Sequence, residues 1–176
     1  LTKLKLKPKS EFSRNVLTLM TGTSIAQAIP IAISPILTRI YTPEDFGLFA
    51  LYGGILMILS VMATGKYELA ITIPKNNIEA KNIVILSITI SIVLSILTLL
   101  LLFIFSNNFT DLLKNEYLEN LLFLLPVSIL SVGFYQSMSY YTNRESKFKR
   151  LAVSKVVQSL SVASISLFFG YIVYLD

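Results

Sequence analysis

The chain has 176 residues, of which 54% are hydrophobic and only 14% charged, with a formal charge of +5; soluble domains carry about 25% charged residues. There is no Cys, which excludes disulfides and thiolate metal sites, and no His, which removes the commonest general base and metal ligand. No cofactor is expected, and an enzyme would have little to work with.

Five apolar stretches follow one another along the chain, at 15–38, 46–65 (with apolar character continuing to 73), 83–105, 121–142 and 156–175. Each is close to the roughly 20 helical residues that cross about 30 Å of hydrocarbon. A soluble chain of this length could not hide five such stretches. Lipid offers no partner to backbone N–H and C=O groups, so the stretches must be helices. The predicted fold is all-α, a polytopic membrane bundle of about five transmembrane helices spanning 15–175, behind a basic segment at 1–14.

Lys3, Lys5, Lys7, Lys9 and Arg14 precede the first stretch. This basic start, the apolar run at 16–25 and Ala26-Gln27-Ala28 loosely imitate a secretory signal. Thr18, Thr21, Gly22, Thr23 and Ser24 interrupt that run, and apolar residues continue past the supposed cut, so a retained span is the better reading. Pro30 and Pro35 should bend or locally break the first helix. Beyond it, Thr42 is a plausible N-cap, Pro43 fits the first helical position, and Glu44 and Asp45 complement the positive helix end.

In the second stretch the strongest local signal is Gly65-Lys66-Tyr67-Glu68. If the helix runs on to Ile73, where Pro74 ends it, Glu68 sits about two turns inside. A charge there costs at least about 2.5–3.5 kcal/mol and should face a cavity or a partner. Lys66 and Glu68 are two residues apart and do not face each other on a helix. The competing reading ends the helix near Gly65 and lets both side chains snorkel to the interface.

Polar residues within the stretches recur at helical spacing. The rows are Ser24, Gln27, Ser34 and Thr38; Ser87, Ser91, Ser95 and Thr98; Ser128, Ser131, Tyr135, Ser139 and Thr142; and Ser154, Gln158 and Ser161. Each row shares one helical face. Either these faces line a watery cavity, or the hydroxyls bond their own i−4 carbonyls and neighbouring helices. For a single Ser or Thr the second reading is the better one. Gln27 is harder to dismiss, because its amide must satisfy both donors and an acceptor near mid-membrane. Pro126 should kink the fourth helix.

Twelve of the fifteen basic residues fall before the first stretch, between the second and third (Lys75, Lys81) or between the fourth and fifth (Arg144, Lys147, Lys149, Arg150, Lys155). Arg39 and Lys114 stand on the other side with Glu44, Asp45, Asp111, Glu116 and Glu119. This bias puts the amino terminus and the even-numbered loops in the cytoplasm. The charge thus reads as a topogenic signal that also attracts anionic headgroups, and no nucleic acid is expected. With no Trp, an interfacial belt would rest on Tyr and Phe, as at Tyr41, Tyr52, Tyr117, Tyr140, Tyr141, Tyr171 and Tyr174. The chain does not begin with Met and stops directly after a span, so it is expected to be the front of a longer protein or a disrupted product.

Two segments resemble a known family. Thr38-Arg39-Ile40-Tyr41-Thr42-Pro43-Glu44-Asp45-Phe46-Gly47 is similar to the link between helices one and two of bacterial polysaccharide-biosynthesis (O-antigen/capsule) flippases. Gly65-Lys66-Tyr67-Glu68-Leu69-Ala70-Ile71, followed by Pro74, resembles their Arg/Lys-Tyr-Glu motif late in helix two, and Phe148-Lys149-Arg150-Leu151 fits less distinctively. These flippases belong to the multidrug/oligosaccharidyl-lipid/polysaccharide exporter superfamily. The resemblance implies the amino-terminal bundle of a 12–14-helix exporter in the bacterial inner membrane. Its substrate would be an undecaprenyl-pyrophosphate-linked oligosaccharide, moved from the inner to the outer leaflet. Lys66 and Arg39 would attract the pyrophosphate, with Gln27 and Glu68 as polar lining or ion coupling. Implied partners are the lipid-linked oligosaccharide, membrane lipids, and a polysaccharide polymerase with other assembly proteins. A drug antiporter of the same superfamily and a non-transporting envelope scaffold are the alternatives.

Overall fold

The computed structural model describes residues 9–113 and 121–175, and every regular element among them is an α-helix. In chain order these are α1 (Lys9–Ile40), α2 (Pro43–Ala63), α3 (Tyr67–Ala70), α4 (Asn77–Leu113), α5 (Leu125–Arg144) and α6 (Phe148–Leu175). Lys3, Lys5, Lys7, Lys114, Glu116, Tyr117 and Glu119 lie outside the described residues.

The helices are apolar on the outside. Ile31, Phe49, Met57 and Ile104 are each more than 70% exposed, a surface that water would penalise and hydrocarbon does not. Among the described residues four helices carry stretches long and apolar enough to cross a membrane: Ser13–Ile40, Pro43–Ala63, Asn77–Ile104 and Phe148–Ile172. The predicted fourth span is not among them. Gln136, four serines and three tyrosines dilute α5, and a turn at Phe123–Leu124 separates it from Leu121 and Leu122.

Two compact units divide the chain, residues 1–43 with 146–176, and residues 44–145. In the first, α1 and α6 run parallel, since Gly22 approaches Ala152, Ala26 meets Ser159, and Ile40 and Tyr41 meet Gly170. The seam on α1 is Leu19, Gly22, Ala26, Ile29, Ile33, Leu37 and Ile40, spaced by three or four. Small residues make the contact close: a Cβ on Gly22 would lie 2.4 Å from that of Ala152, and one on Gly170 would lie 2.8 Å from Ile40 Cγ2. Van der Waals contact between small residues drives helix association where lipid removes the hydrophobic effect.

Pro30 and Pro35 do not break α1, which continues through both. Proline at position 30 removes the N–H that would bond the Ala26 carbonyl. Ser159 Oγ of α6 donates to that carbonyl at 2.5 Å. Both prolines stand on the exposed side of α1.

In the second unit, α4 runs antiparallel to both α2 and α5. Ser91 meets Ala63 and Gly133, Ser95 Oγ donates to the Pro126 carbonyl at 2.7 Å, and Leu102 packs with Leu122 and Leu125. Tyr52, Leu56, Leu59 and Phe123 close over that leucine cluster. Tyr52 also shares a 2.6 Å hydroxyl hydrogen bond with Ser128. Pro126 lies in the first turn of α5 instead of kinking a longer helix, a place where its missing N–H leaves no intrahelical bond unmade. α2 begins at Pro43 as predicted but ends at Ala63, ten residues before Ile73. α4 starts at Asn77, where Asn76 Oδ1 accepts from the Ile78 N–H at 3.1 Å as an N-cap.

Candidate functional site

The end of α2 is where backbone, charge and polar side chains converge. Gly65 and Lys66 both take left-handed φ, 57° and 63°, and the helix stops. Glycine takes that conformation freely, whereas a lysine is strained by it. Carbonyls freed by the break find new donors: Met62 O accepts from Gly65 N, Thr64 O from Tyr67 N, and Lys66 O from Leu69 N. The Ala63 carbonyl accepts from Ser91 Oγ at 2.6 Å. Ser91 lies fourteen residues into α4, about 21 Å from its start. Irregular backbone at such depth survives only where protein or water satisfies it.

Beyond the break, α3 packs on α4 and α5. It carries Glu68, only 3% exposed, whose Oε2 accepts a hydrogen bond from Thr64 Oγ1. Lys66, two residues earlier, is exposed and has no hydrogen bond or ion pair among the described residues. The two charges therefore part company: the carboxylate is enclosed by protein and the ammonium is free. Neither a continuous helix nor a shared retreat to the interface describes them.

Around this corner the α4 row is inward. Ser87, Ser91 and Thr98 are buried. Ser91 Oγ also reaches the Ser87 carbonyl at 2.9 Å, and Thr98 Oγ1 donates to the Leu94 carbonyl. A Cβ on Gly133 would lie 2.0 Å from Ser91 Oγ and 2.6 Å from Ser91 Cβ, so α5 must offer glycine there. Ser137, one turn on, is buried and donates back to the Gly133 carbonyl. The hydroxyls of Ser91, Thr98 and Ser137 join helices or bond their own helix's carbonyls, whereas that of Ser87 is buried with no hydrogen-bond partner among the described residues.

Arg144 also has a task the sequence did not suggest. Its guanidinium donates to Asn77 Oδ1 at 2.7 Å and to the Pro74 carbonyl at 2.6 Å. The end of α5 is thus fastened to the segment that leads into α4.

In the first unit the α1 row faces outward. Ser24, Gln27, Ser34 and Thr38 are all exposed, and Gln27 has no hydrogen bond among the described residues. Arg39 is exposed in the last turn of α1, where a cation complements the helix dipole. Gln27 and Arg39 are twelve residues, about 18 Å, apart along α1. Tyr41 OH donates to the Ser166 carbonyl at 2.9 Å, which ties the start of the Tyr41–Gly47 segment to α6. Lys155, assigned above to a basic loop, instead stands seven residues into α6 with Nζ 3.3 Å from Thr23 Oγ1.

Apolar helices of membrane-crossing length, joined by small residues and hydroxyls, make this a polytopic α-helical membrane protein. A family model described as polysaccharide biosynthesis protein matches residues 12–175. The chain belongs to that family, whose members are typically transporters. Comparison with curated proteins and with solved structures found no match.

Proposed function

We propose that this protein moves a lipid-linked oligosaccharide, carried on undecaprenyl pyrophosphate, from the inner to the outer leaflet of the bacterial inner membrane. The observation that carries this reading is the family match, which runs through every helix holding the polar groups above. The family has a role in polysaccharide biosynthesis, and flipping a lipid-linked intermediate is a step that calls for a membrane-embedded protein. Lys66 and Arg39, exposed cations without partners among the described residues, attract the pyrophosphate. Gln27 hydrogen-bonds the sugar or phosphate, and Glu68, enclosed by protein and held by Thr64, supports the corner that carries Lys66. A polymerase and other assembly proteins would receive the product.

The amino terminus is cytoplasmic in this reading, as the basic residues favour. Helix directions support five crossings. α1 and α6 are parallel, so an odd number of crossings separates them if both span. With α2 and α4 alone the count would be even. α5, antiparallel to α4, supplies the third.

The test deletes the gene in its host and complements it with wild-type or Lys66→Ala protein. The variant is expected to reach the membrane at normal abundance and yet abolish surface polysaccharide, with lipid-linked sugar accumulating in the cytoplasmic leaflet. Normal surface polysaccharide with Lys66→Ala would remove the role of this lysine. Intact polysaccharide in the deletion strain, together with altered drug sensitivity, would favour antiport of small molecules.

A further inference from the structure

The parallel pair α1–α6 brings together four polar side chains that the sequence scatters over 136 residues. Successive helical residues turn by about 100°. Measured from the seam, Thr23 and Gln27 lie on the clockwise flank of α1. Lys155 and Gln158 lie on the anticlockwise flank of α6. Two parallel helices wind the same way, so these flanks open to the same side of the pair. The hydrogen bond from Lys155 Nζ to Thr23 Oγ1 fixes that side. Gln27 follows Thr23 by one turn, and Gln158 follows Lys155 by one turn. Both amides are exposed.

Lys155 lies about 10 Å from the start of α6, inside the stretch Phe148–Ile172 that is apolar enough to cross a membrane. An ammonium at that depth normally escapes along its own stem to the headgroups. This one bonds Thr23, which the contacts of Gly22 with Ala152 and of Ile40 with Gly170 set opposite Val153, so it moves only about 3 Å towards the helix start. A neutral hydroxyl at 3.3 Å is its hydrogen bond among the described residues, and it does not neutralise the charge. The acidic residues of this unit are Glu11 and Asp176, at the chain ends. Glu11 precedes Thr23 by about 18 Å of helix. The exposed row of charges at the end of the pair, Arg14, Lys149 and Arg150, is separate from Lys155, which is half-buried.

We propose that Lys155, with Gln27 and Gln158 beside it, is a recognition site for the pyrophosphate of the lipid-linked substrate. A cation held below the headgroups calls for an anion that enters the membrane on a lipid, and two flanking amides supply N–H donors to its oxygens. The charge and one amide come from α6 and the other amide from α1, so the site exists only in the assembled pair. This deepens the transport reading and rests on it for the identity of the lipid.

The experiment uses the full-length protein in nanodiscs of phosphatidylcholine, with undecaprenyl pyrophosphate as the probe and binding read by native mass spectrometry. Lys155→Gln is expected to weaken binding by about tenfold or more, Lys155→Arg to keep most of it, and Gln27→Leu with Gln158→Leu to weaken it by several-fold. Lys149→Gln, at the exposed end, should change it less than about twofold. Binding within twofold of wild type for Lys155→Gln overturns the site. Equal binding of phosphatidylglycerol does so too, since any anionic headgroup would then suffice. Should Lys155→Gln fail to fold, a Gln158→Cys variant reports instead. Undecaprenyl pyrophosphate should protect that cysteine from an aqueous thiol reagent, and unprotected labelling refutes the site. Binding through Lys155 without sugar translocation leaves the site and removes the transport reading. Translocation that is indifferent to Lys155 does the reverse.

Discussion

The two units handle an intramembrane charge in opposite ways. In residues 44–145 the carboxylate of Glu68 is enclosed by protein, a threonine hydroxyl bonds it, and a lysine two residues away is left outside. In the α1–α6 pair the ammonium of Lys155 stays half-buried on an open polar flank with one weak neutral partner. The first arrangement is satisfied from within and reads as architecture. The second is incomplete and reads as a place for something to bind. Removing partners should therefore destabilise the first unit's counterpart far more than the pair itself.

The largest expected effect is Thr64→Val. It strips the buried carboxylate of its hydroxyl donor and should cost about 1.5–3 kcal/mol, the range for hydrogen bonds to charged groups. Denaturation of the full-length protein in mixed detergent and dodecyl sulfate would measure it. Glu68→Gln in the Thr64→Val background should recover much of the loss, because a neutral amide is cheaper to bury unpaired. No loss in Thr64→Val would mean that Glu68 is not held as described.

Close next is Gly133→Ala, expected to cost about 1–3 kcal/mol by overpacking. The new Cβ would meet the Ser91 side chain at 2.0 and 2.6 Å. Ser91→Gly in the same chain should restore part of the stability, since it removes both atoms; the same size rule makes Ala152→Gly the partner change for Gly22→Ala. By contrast Gly53 and Gly54 have nothing within 4 Å of an added Cβ. Alanine at either should be neutral or stabilise by up to about 0.5–1 kcal/mol through lower backbone entropy. A uniform loss across these glycines would erase the distinction between seam and lipid face.

These contrasts also mark what could be read from residues alone. Long uncharged stretches dictated helices because lipid permits little else, and the start of α2 was visible in Pro43, Glu44 and Asp45. The break at Gly65-Lys66 was not. Glycine inside an apolar run is common in membrane helices, and the Ser91 hydroxyl that takes up the freed Ala63 carbonyl comes from a helix distant in sequence. Periodicity found a face on α1, α4, α5 and α6 but could not say what meets it. The rows on α1 and α4 both follow helical spacing, yet Ser87 and Ser91 are buried while Ser24 and Gln27 are exposed. Lys155 was missed because its neighbours Lys147, Lys149 and Arg150 drew it into a loop. A signal was present: Pro30 leaves a carbonyl needing a donor, and Ser159 lies one turn beyond Lys155, which puts Lys155 inside the helix that supplies it.

The smallest predicted effect tests that last link. Ser159→Ala removes the donor to the Ala26 carbonyl that Pro30 deprives of its usual partner. Interhelical hydrogen bonds in membranes average about 0.6 kcal/mol and reach about 1.7, so a loss near the lower figure is expected. Pro30→Ala should restore the internal N–H donor and make Ser159→Ala nearly silent. The double-mutant cycle isolates the coupling between two residues on different helices. Zero coupling would separate the proline from the serine and leave α1 unbroken for some other reason. Measurable coupling would show that α6 repairs α1 beside Lys155, and that the cation's flank is held in register by a backbone bond one turn away.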